Sequence, residues 1–379
     1  MTNASHAYLP PSAAHIWSKC ALWATMNSKF PQESSAEADE GSSAHEVAWL
    51  ILQGSIVTLN MPTSNGLLVT EEMLEGGELI ADCIQRRSDG NVVHIEERLP
   101  IASIGPDIFG TPDAWSFDSK PCHLEIFDYK FGHRFVDEYW NPQGLCYLSG
   151  IVDRLCAHYG VAPTFWEQHM TVAFTVIQPR CFYRGNPVRT HEFRFSECRS
   201  YFNMLANTAE ASRVANPIAV TNEHCGDCPG RYACPALQKA AYAAASYSSK
   251  RNVVELSPAD AALELKMLAT ALDALTARVE GLKELTIHNL THGKQVPYYR
   301  AEPGQGRQTW NVPATQVIAL GEISGIDLKK QPEAVTPNQA KKLGVNEVLV
   351  NSLSFTPSTA TRLIPEKASD AAKVFGRSS

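Results

Sequence analysis

Ile126-Phe127-Asp128-Tyr129-Lys130 sets two charges inside an apolar, strand-like run, where isolated charges are expensive. Strand side chains alternate faces, so Asp128 and Lys130 project to one side, and Phe127 and Tyr129 to the other. Upstream, Gly110-Thr111-Pro112-Asp113 lies in a second strand-like stretch, and Asp118-Ser119-Lys120-Pro121 between them reads as a turn. Pairing of the two strands brings Asp113 beside Asp128. Two carboxylates and an ammonium then meet at the mouth of a sheet. That set suits a hard divalent cation, Mg2+ or Mn2+, and phosphodiester hydrolysis. On spacing alone, Asp128 and Lys130 also describe a structural ion pair. The apolar flanks and the acid one strand earlier weigh against that reading. Lys130 is expected to orient the attacking water or balance developing charge, with its own pKa lowered beside the ion.

The surrounding pattern predicts a mixed sheet flanked by helices. Ser12 opens a short helical segment through Trp17 and Cys20, and residues 36–54 read as a helix entered through acidic residues. Thr70 caps a further helix running to about Arg87. Three strands are expected over Val92–Ile101, Phe109–Phe117 and His123–Phe131, then a helix from about Glu138 to His158. Met170–Ile177 is β-branched enough for a buried strand. Beyond Arg180 the pattern is less regular, with one helix expected around Glu197–Asn216. Ser257-Pro258 starts a long helix whose Leu268, Leu272, Leu275, Val279 and Leu282 form a seam, read as docking on the core rather than as a coiled coil. A short helix is expected from Thr336-Pro337, and residues after about 365 read as a mobile tail.

The 379 residues, 44% hydrophobic and 19% charged, describe an ordinary globular chain with room for a large core and an appendage. No segment reaches the roughly 18 apolar residues that span a bilayer, and Met1 to His15 lacks a signal-peptide pattern, so a cytoplasmic location is expected. A net charge of −7 argues against indiscriminate nucleic-acid binding, so a nuclease of this balance must gather its cations into a groove.

Three other groups extend the site. His45, on the helix before the strands, is a plausible extra metal ligand, although a helical histidine is more often a packed residue. Gln143 and Tyr147, four apart on the next helix, share a face suited to phosphate or base contacts. Arg180, in Gln178-Pro179-Arg180 at a strand end, suits a DNA-backbone contact. Gly304-Gln305-Gly306-Arg307 lacks the Lys-Ser/Thr and following helix of a phosphate loop and is discounted.

Of ten cysteines, Cys83, Cys122, Cys146, Cys156, Cys181 and Cys198 stand alone like small core residues. Cys225, Cys228 and Cys234 do not: their tight spacing asks for a metal with a fourth ligand. Adjacent His224 completes a Zn2+ site; distant Cys20 completes an all-cysteine iron–sulfur site. Spacing leaves the two open.

Together Gly41-x3-His45, Gly110-x2-Asp113, Asp128-x-Lys130 and Gln143-x3-Tyr147 resemble the RecB-like branch of the PD-(D/E)XK nuclease superfamily. Cys20 with Cys225, Cys228 and Cys234 resembles that superfamily's iron–sulfur subset, shared by the AddB helicase-nucleases and the CRISPR-adaptation exonucleases. Pro11-Ser12-Ala13-Ala14-His15-x4-Cys20, Asp128-Tyr129-Lys130-Phe131-Gly132, Asn141-Pro142-Gln143 and Gln178-Pro179-Arg180 are similar to a phage and prophage family known mainly as a domain of unknown function. That similarity runs from residue 7 to about 366 and includes Gly306-Arg307-x2-Trp310.

The resemblance implies an α/β, restriction-endonuclease-like mixed central sheet flanked by helices, with a metal-stapled C-terminal helical lobe. Asp113, Asp128, His45 and the Tyr129 carbonyl would hold Mg2+ or Mn2+, Lys130 would be the catalytic lysine, and Gln143 and Tyr147 would line the site. It favours a 4Fe-4S iron–sulfur cluster over Zn2+. The implied domains are 1–245, nuclease with cluster lobe; 246–293, a long helix docking on the core; and 294–379, an extension with a partly flexible tail. The implied activity is DNA hydrolysis, probing ends or single strands, beside phage recombination or replication proteins in a host cytoplasm. The alternative is an inactive DNA-binding or interaction module that keeps the fold.

Overall fold

A computed structural model describes residues 7–30, 35–181, 186–247, 257–305, 309–328, 336–342, 344–355 and 358–365. The chain forms two compact units, residues 1–278 and 279–379. In the first, short helices α1 (Ala14–Trp17) and α2 (Trp23–Lys29) precede α3 (Ala36–Leu52) and α4 (Glu71–Ser88). Ser35 caps α3 by accepting from the Ala38 N–H, and Thr70 caps α4 by accepting from Met73. Acidic Glu71 and Glu72 at the start of α4, with Arg86 and Arg87 at its end, complement the helix dipole.

Strands β1 (Val93–Ile95), β2 (Leu99–Pro100), β3 (Phe109–Gly110), β4 (Ala114–Asp118) and β5 (His123–Tyr129) follow, then α5 (Pro142–Tyr159), α6 (Pro163–His169), β6 (Thr171–Ile177), β7 (Val188–Arg194) and α7 (Arg199–Ala211). The main sheet is five-stranded, ordered β1-β4-β5-β6-β7, while β2 and β3 pair separately. It is mixed: β5 and β6 run parallel across the α5 crossover, and the other neighbours are antiparallel. Helices α8 (Pro235–Tyr247) and α9 (Pro258–Thr291) follow, α9 continuing past residue 278. No helix among the described residues is long and apolar enough to cross a membrane.

Alternation along β5 fills two cores. Leu124 and Ile126 join Leu145, Leu148, Ile151 and the aromatic N-terminal segment around Trp17 and Trp23. Phe127 and Tyr129 face the other way, onto Val47, Met73 and Ile80 of α3 and α4. Each fully buried side chain of this size contributes about 1.5–3 kcal/mol, so the sheet is clamped from both faces. Glu125, which also faces α4, is neutralised by a two-pronged contact from Arg87 at 2.8 and 3.1 Å.

Several expectations need correction. The Val92–Ile101 strand splits into β1 and β2, in different sheets. Phe109–Phe117 breaks between β3 and β4 at Thr111-Pro112, where proline has no ladder N–H to give. The helix expected from Glu138 starts at Pro142, because Asn141 caps it by accepting from Gln143 and Gly144. Beyond Arg180 lies an unforeseen strand, β7, whose Arg189, His191, Glu192 and Arg194 masked its strand character. On α9 the leucine seam is not the buried face: Leu268, Leu272, Val279 and Leu282 are exposed, while Ala277 is buried. Arg278 donates to the Tyr232 carbonyl beside it.

In the second unit, Tyr299–Gln305 pairs antiparallel with Ser358–Pro365, and Val317, Leu320, Leu328, Ala340, Val345 and Val350 form a small core. The helix expected at Thr336-Pro337 is present as Pro337–Lys342. Gly306-Arg307 and the tail from 366 lie outside the described residues.

Candidate active site

At the end of the β4–β5 hairpin, Ala114 pairs with Phe127, which leaves Asp113 opposite Asp128 one step further out. The Tyr129 N–H donates to Asp113 Oδ2 at 2.7 Å, fixing that carboxylate against the end of β5. Its other oxygen, Oδ1, lies 3.2 Å from His45 Nδ1 on α3. Lys130 Nζ donates to Asp128 Oδ1 at 3.0 Å. Asp128 is 1% exposed, and its Oδ2 is buried with no hydrogen-bond partner. The sequence brought together four groups, and the fold assembles all of them.

Burial and mutual charge set the protonation of this cluster. Burial pushes the Asp128 carboxyl up, with Asp113 adding to the rise and Lys130 opposing it. For Asp113 burial also acts upward, but the His45 charge and hydrogen bond and the Lys130 charge outweigh it, so its pKa is lowered. Burial alone would lower His45 and Lys130, yet the neighbouring carboxylates raise both. At Lys130 the rise comes from the two acids, whose charges and the Asp128 hydrogen bond outweigh its burial.

The donor set fits a hard cation. A carboxyl oxygen buried without a partner is costly, and a divalent ion would remove that cost while accepting several oxygens. Gly110 explains the start of the motif: a Cβ there would lie 2.5 Å from Pro11 and 2.9 Å from the Tyr147 ring, so the strand can approach only as glycine. Tyr147, 6% exposed, receives a hydrogen bond from Gln143 at 3.0 Å and feels the charges of Asp128 and Asp113.

A groove of about 560 Å³ opens beside the cluster, lined by Lys130, Gln143, Ser12, Arg134, Tyr139 and Asn141 among others. Gln178, fully buried, holds its wall: its amide donates to the Gly132 and Arg134 carbonyls at 2.8 and 2.7 Å and accepts from Val136 and Arg189. This role escaped the sequence reading, although Gln178 at the end of an apolar strand was the available signal. Arg180 lies elsewhere than expected. Its side chain is 13% exposed, with the guanidinium engaged by Glu40 and Glu72 at 2.6–2.8 Å and stacked 3.8 Å over Phe131. It fastens α3 and α4 to the sheet end rather than lining the groove.

Cys20, Cys225, Cys228 and Cys234 line one apolar cavity with Ile16, Trp23, Met26 and Leu237. The Val220 and Asn222 amides donate to the Cys20 and Cys225 sulfurs at 3.5 and 3.3 Å. Burial raises the Cys225 thiol and lifts Cys228 to about 11, each with the other cysteines adding. No three of these sulfurs lie within 4.8 Å of one another, wider than the spacing of about 3.8 Å set by a tetrahedral zinc with bonds of about 2.3 Å. His224 does not line this cavity; it faces the groove instead.

The chain belongs to the family described as "Protein of unknown function (DUF2800)", whose model matches residues 6–367. Among solved structures it is similar to a proposed exonuclease of Eubacterium rectale, at 9% identity and a TM-score of 0.31, over 66% of this chain and 91% of that one.

Proposed function

We propose that this DUF2800 protein is a metal-dependent deoxyribonuclease with a restriction-endonuclease-like core, acting as an exonuclease on DNA ends or single strands. The observation that carries the reading is the buried, unpartnered Asp128 Oδ2 beside Asp113, with an ammonium 3.0 Å from the same carboxylate. Asp113 and Asp128 would hold Mg2+ or Mn2+, assisted by His45 and the Tyr129 carbonyl. Bound there, the ion would polarise a phosphodiester and make a neighbouring water a competent nucleophile at neutral pH.

The chain's own groups do the rest. Lys130 directs its ammonium to Asp128 and lines the groove, where it orients the water and balances charge on the phosphate. Gln143 and Tyr147 wall the site from α5, and the groove of about 560 Å³ beside it is where a strand would enter. The four cysteines would hold a structural iron–sulfur cluster; the wide sulfur spacing supports that over Zn2+, and the two N–H···S contacts suit either metal. Phage recombination or replication proteins in a host cytoplasm are the partners this reading anticipates.

The test is cleavage of end-labelled linear and closed circular DNA by wild-type protein and Lys130→Ala, with Mg2+ or Mn2+. The expected result is metal-dependent loss of linear substrate by wild type alone. Full activity in a folded Lys130→Ala protein would overturn the mechanism.

A further inference from the structure

We propose that His15, His224 and Asp227 form a second metal site, for a zinc-class divalent cation, at the rim of the groove that runs to Lys130. The three ligand atoms lie within 4.8 Å of one another, although His15 comes from α1 and the other two from the cysteine loop. His15 Nε2 is 4.0 Å from Asp227 Oδ2, and the imidazole rings meet edge-on at 5.1 Å. A tetrahedral zinc with bonds of about 2.0 Å holds its ligand atoms about 3.3 Å apart, so side-chain rotation of under about 1 Å closes the set.

Two features point to an ion rather than to a simple histidine–aspartate pair. His224 Nδ1 and Asp227 Oδ2 are both buried with no hydrogen-bond partner, and in the tautomer protonated at Nε2 the imidazole has a lone pair there to give. The outward atoms are already oriented. Arg134 takes Asp227 Oδ1 at 2.7 Å, and the Glu223 carboxylate lies 3.6 Å from His224 Nε2. The Arg134 hydrogen bond aims the Asp227 carboxylate, and the nearby Glu223 charge favours a proton on His224 Nε2. Because His15 and His224 also line the groove, a three-ligand ion keeps an open position facing it, suited to a water or a phosphate oxygen. Two imidazoles and one carboxylate favour zinc over magnesium. The cysteine cavity is separate, since it takes in neither histidine.

The site does not depend on the nuclease reading, and its test reads metal binding rather than cleavage. Full-length protein carrying Asp113→Asn and Asp128→Asn, which empties the acidic pair of charge, is titrated anaerobically with Co2+. The expected result is one equivalent of cobalt with visible d–d bands and no thiolate charge-transfer absorption. That equivalent should persist in a Cys20→Ser version and disappear in His15→Ala and in Asp227→Asn. Asp227→Asn keeps the side-chain volume and a partner for Arg134, so it guards against unfolding, which far-UV circular dichroism monitors. No thiolate-free cobalt, or an equivalent unchanged by His15→Ala and Asp227→Asn, would overturn the proposal.

Discussion

Lys130 and Asp128 share one hydrogen bond of 3.0 Å in which only one oxygen of the acid is used, and the second oxygen is buried without a donor. The pair is therefore held together but left incomplete. Removing the ammonium alone strands the acid. We expect Lys130→Ala to destabilise the metal-free protein by about 1–3 kcal/mol, the cost of a buried polar group losing its partner. Adding Asp128→Asn should recover part of that loss. Urea unfolding of the single and double variants measures it, and equal stabilities would contradict the coupling.

The incomplete acid also predicts a metal-dependent melting temperature. At a hundredfold excess over Kd, an ion that binds only the folded state adds about 2.7 kcal/mol. Mn2+ should raise the Tm of wild type and leave Asp128→Asn almost unmoved, as calorimetry can establish. An identical rise in both would place the ion elsewhere.

Glu40 carries a pH signature. The Arg180 hydrogen bond outweighs burial and holds its carboxyl below the ordinary range. A folded pKa below the unfolded one means stability that is present above the ordinary value near 4.5 and lost as pH falls through the lower, folded value. Below about pH 4.5, wild type should lose Tm more steeply than Glu40→Gln; superimposable curves would refute the latch.

Gly110→Ala should cost about 1–3 kcal/mol through overpacking against Pro11 and Tyr147. The displaced Tyr147 should also weaken cleavage more than a comparable surface change. Gel-based nuclease rates alongside chemical denaturation separate the two effects.

Cys20→Ser should remove visible absorbance from anaerobically purified protein and lower its Tm, whereas Cys181→Ser, outside the cavity, should do neither. Retained colour in Cys20→Ser would exclude that residue as a ligand.

How far these features could be read beforehand depended on the range of the interactions involved. Asp128 and Lys130 were legible because strand alternation is local, and Asp113 because the hairpin closes over few residues. Helix α3 announced itself through its acidic first turn, and α4 through Thr70 and its charged ends. Arg180 was misplaced because its partners, Glu40 and Glu72, are more than a hundred residues away. Gln178 was undervalued for the same reason, since its work is on carbonyls of a distant loop. The α9 seam misled because leucine spacing describes a face but not what covers it. His15 and His224 became neighbours only through tertiary folding, and no spacing rule links them.

The start of the chain is sewn to its far side. Tyr8 donates to the Ser212 carbonyl, Thr208 to that of Ser18, and the Val220 amide to Cys20, across about two hundred residues. During synthesis these turns emerge long before residues 208–220, so the three fastenings close only once that stretch has been made. A destabilised fastening there would open Ser12 and His15 out of the groove wall while the sheet beneath stayed intact.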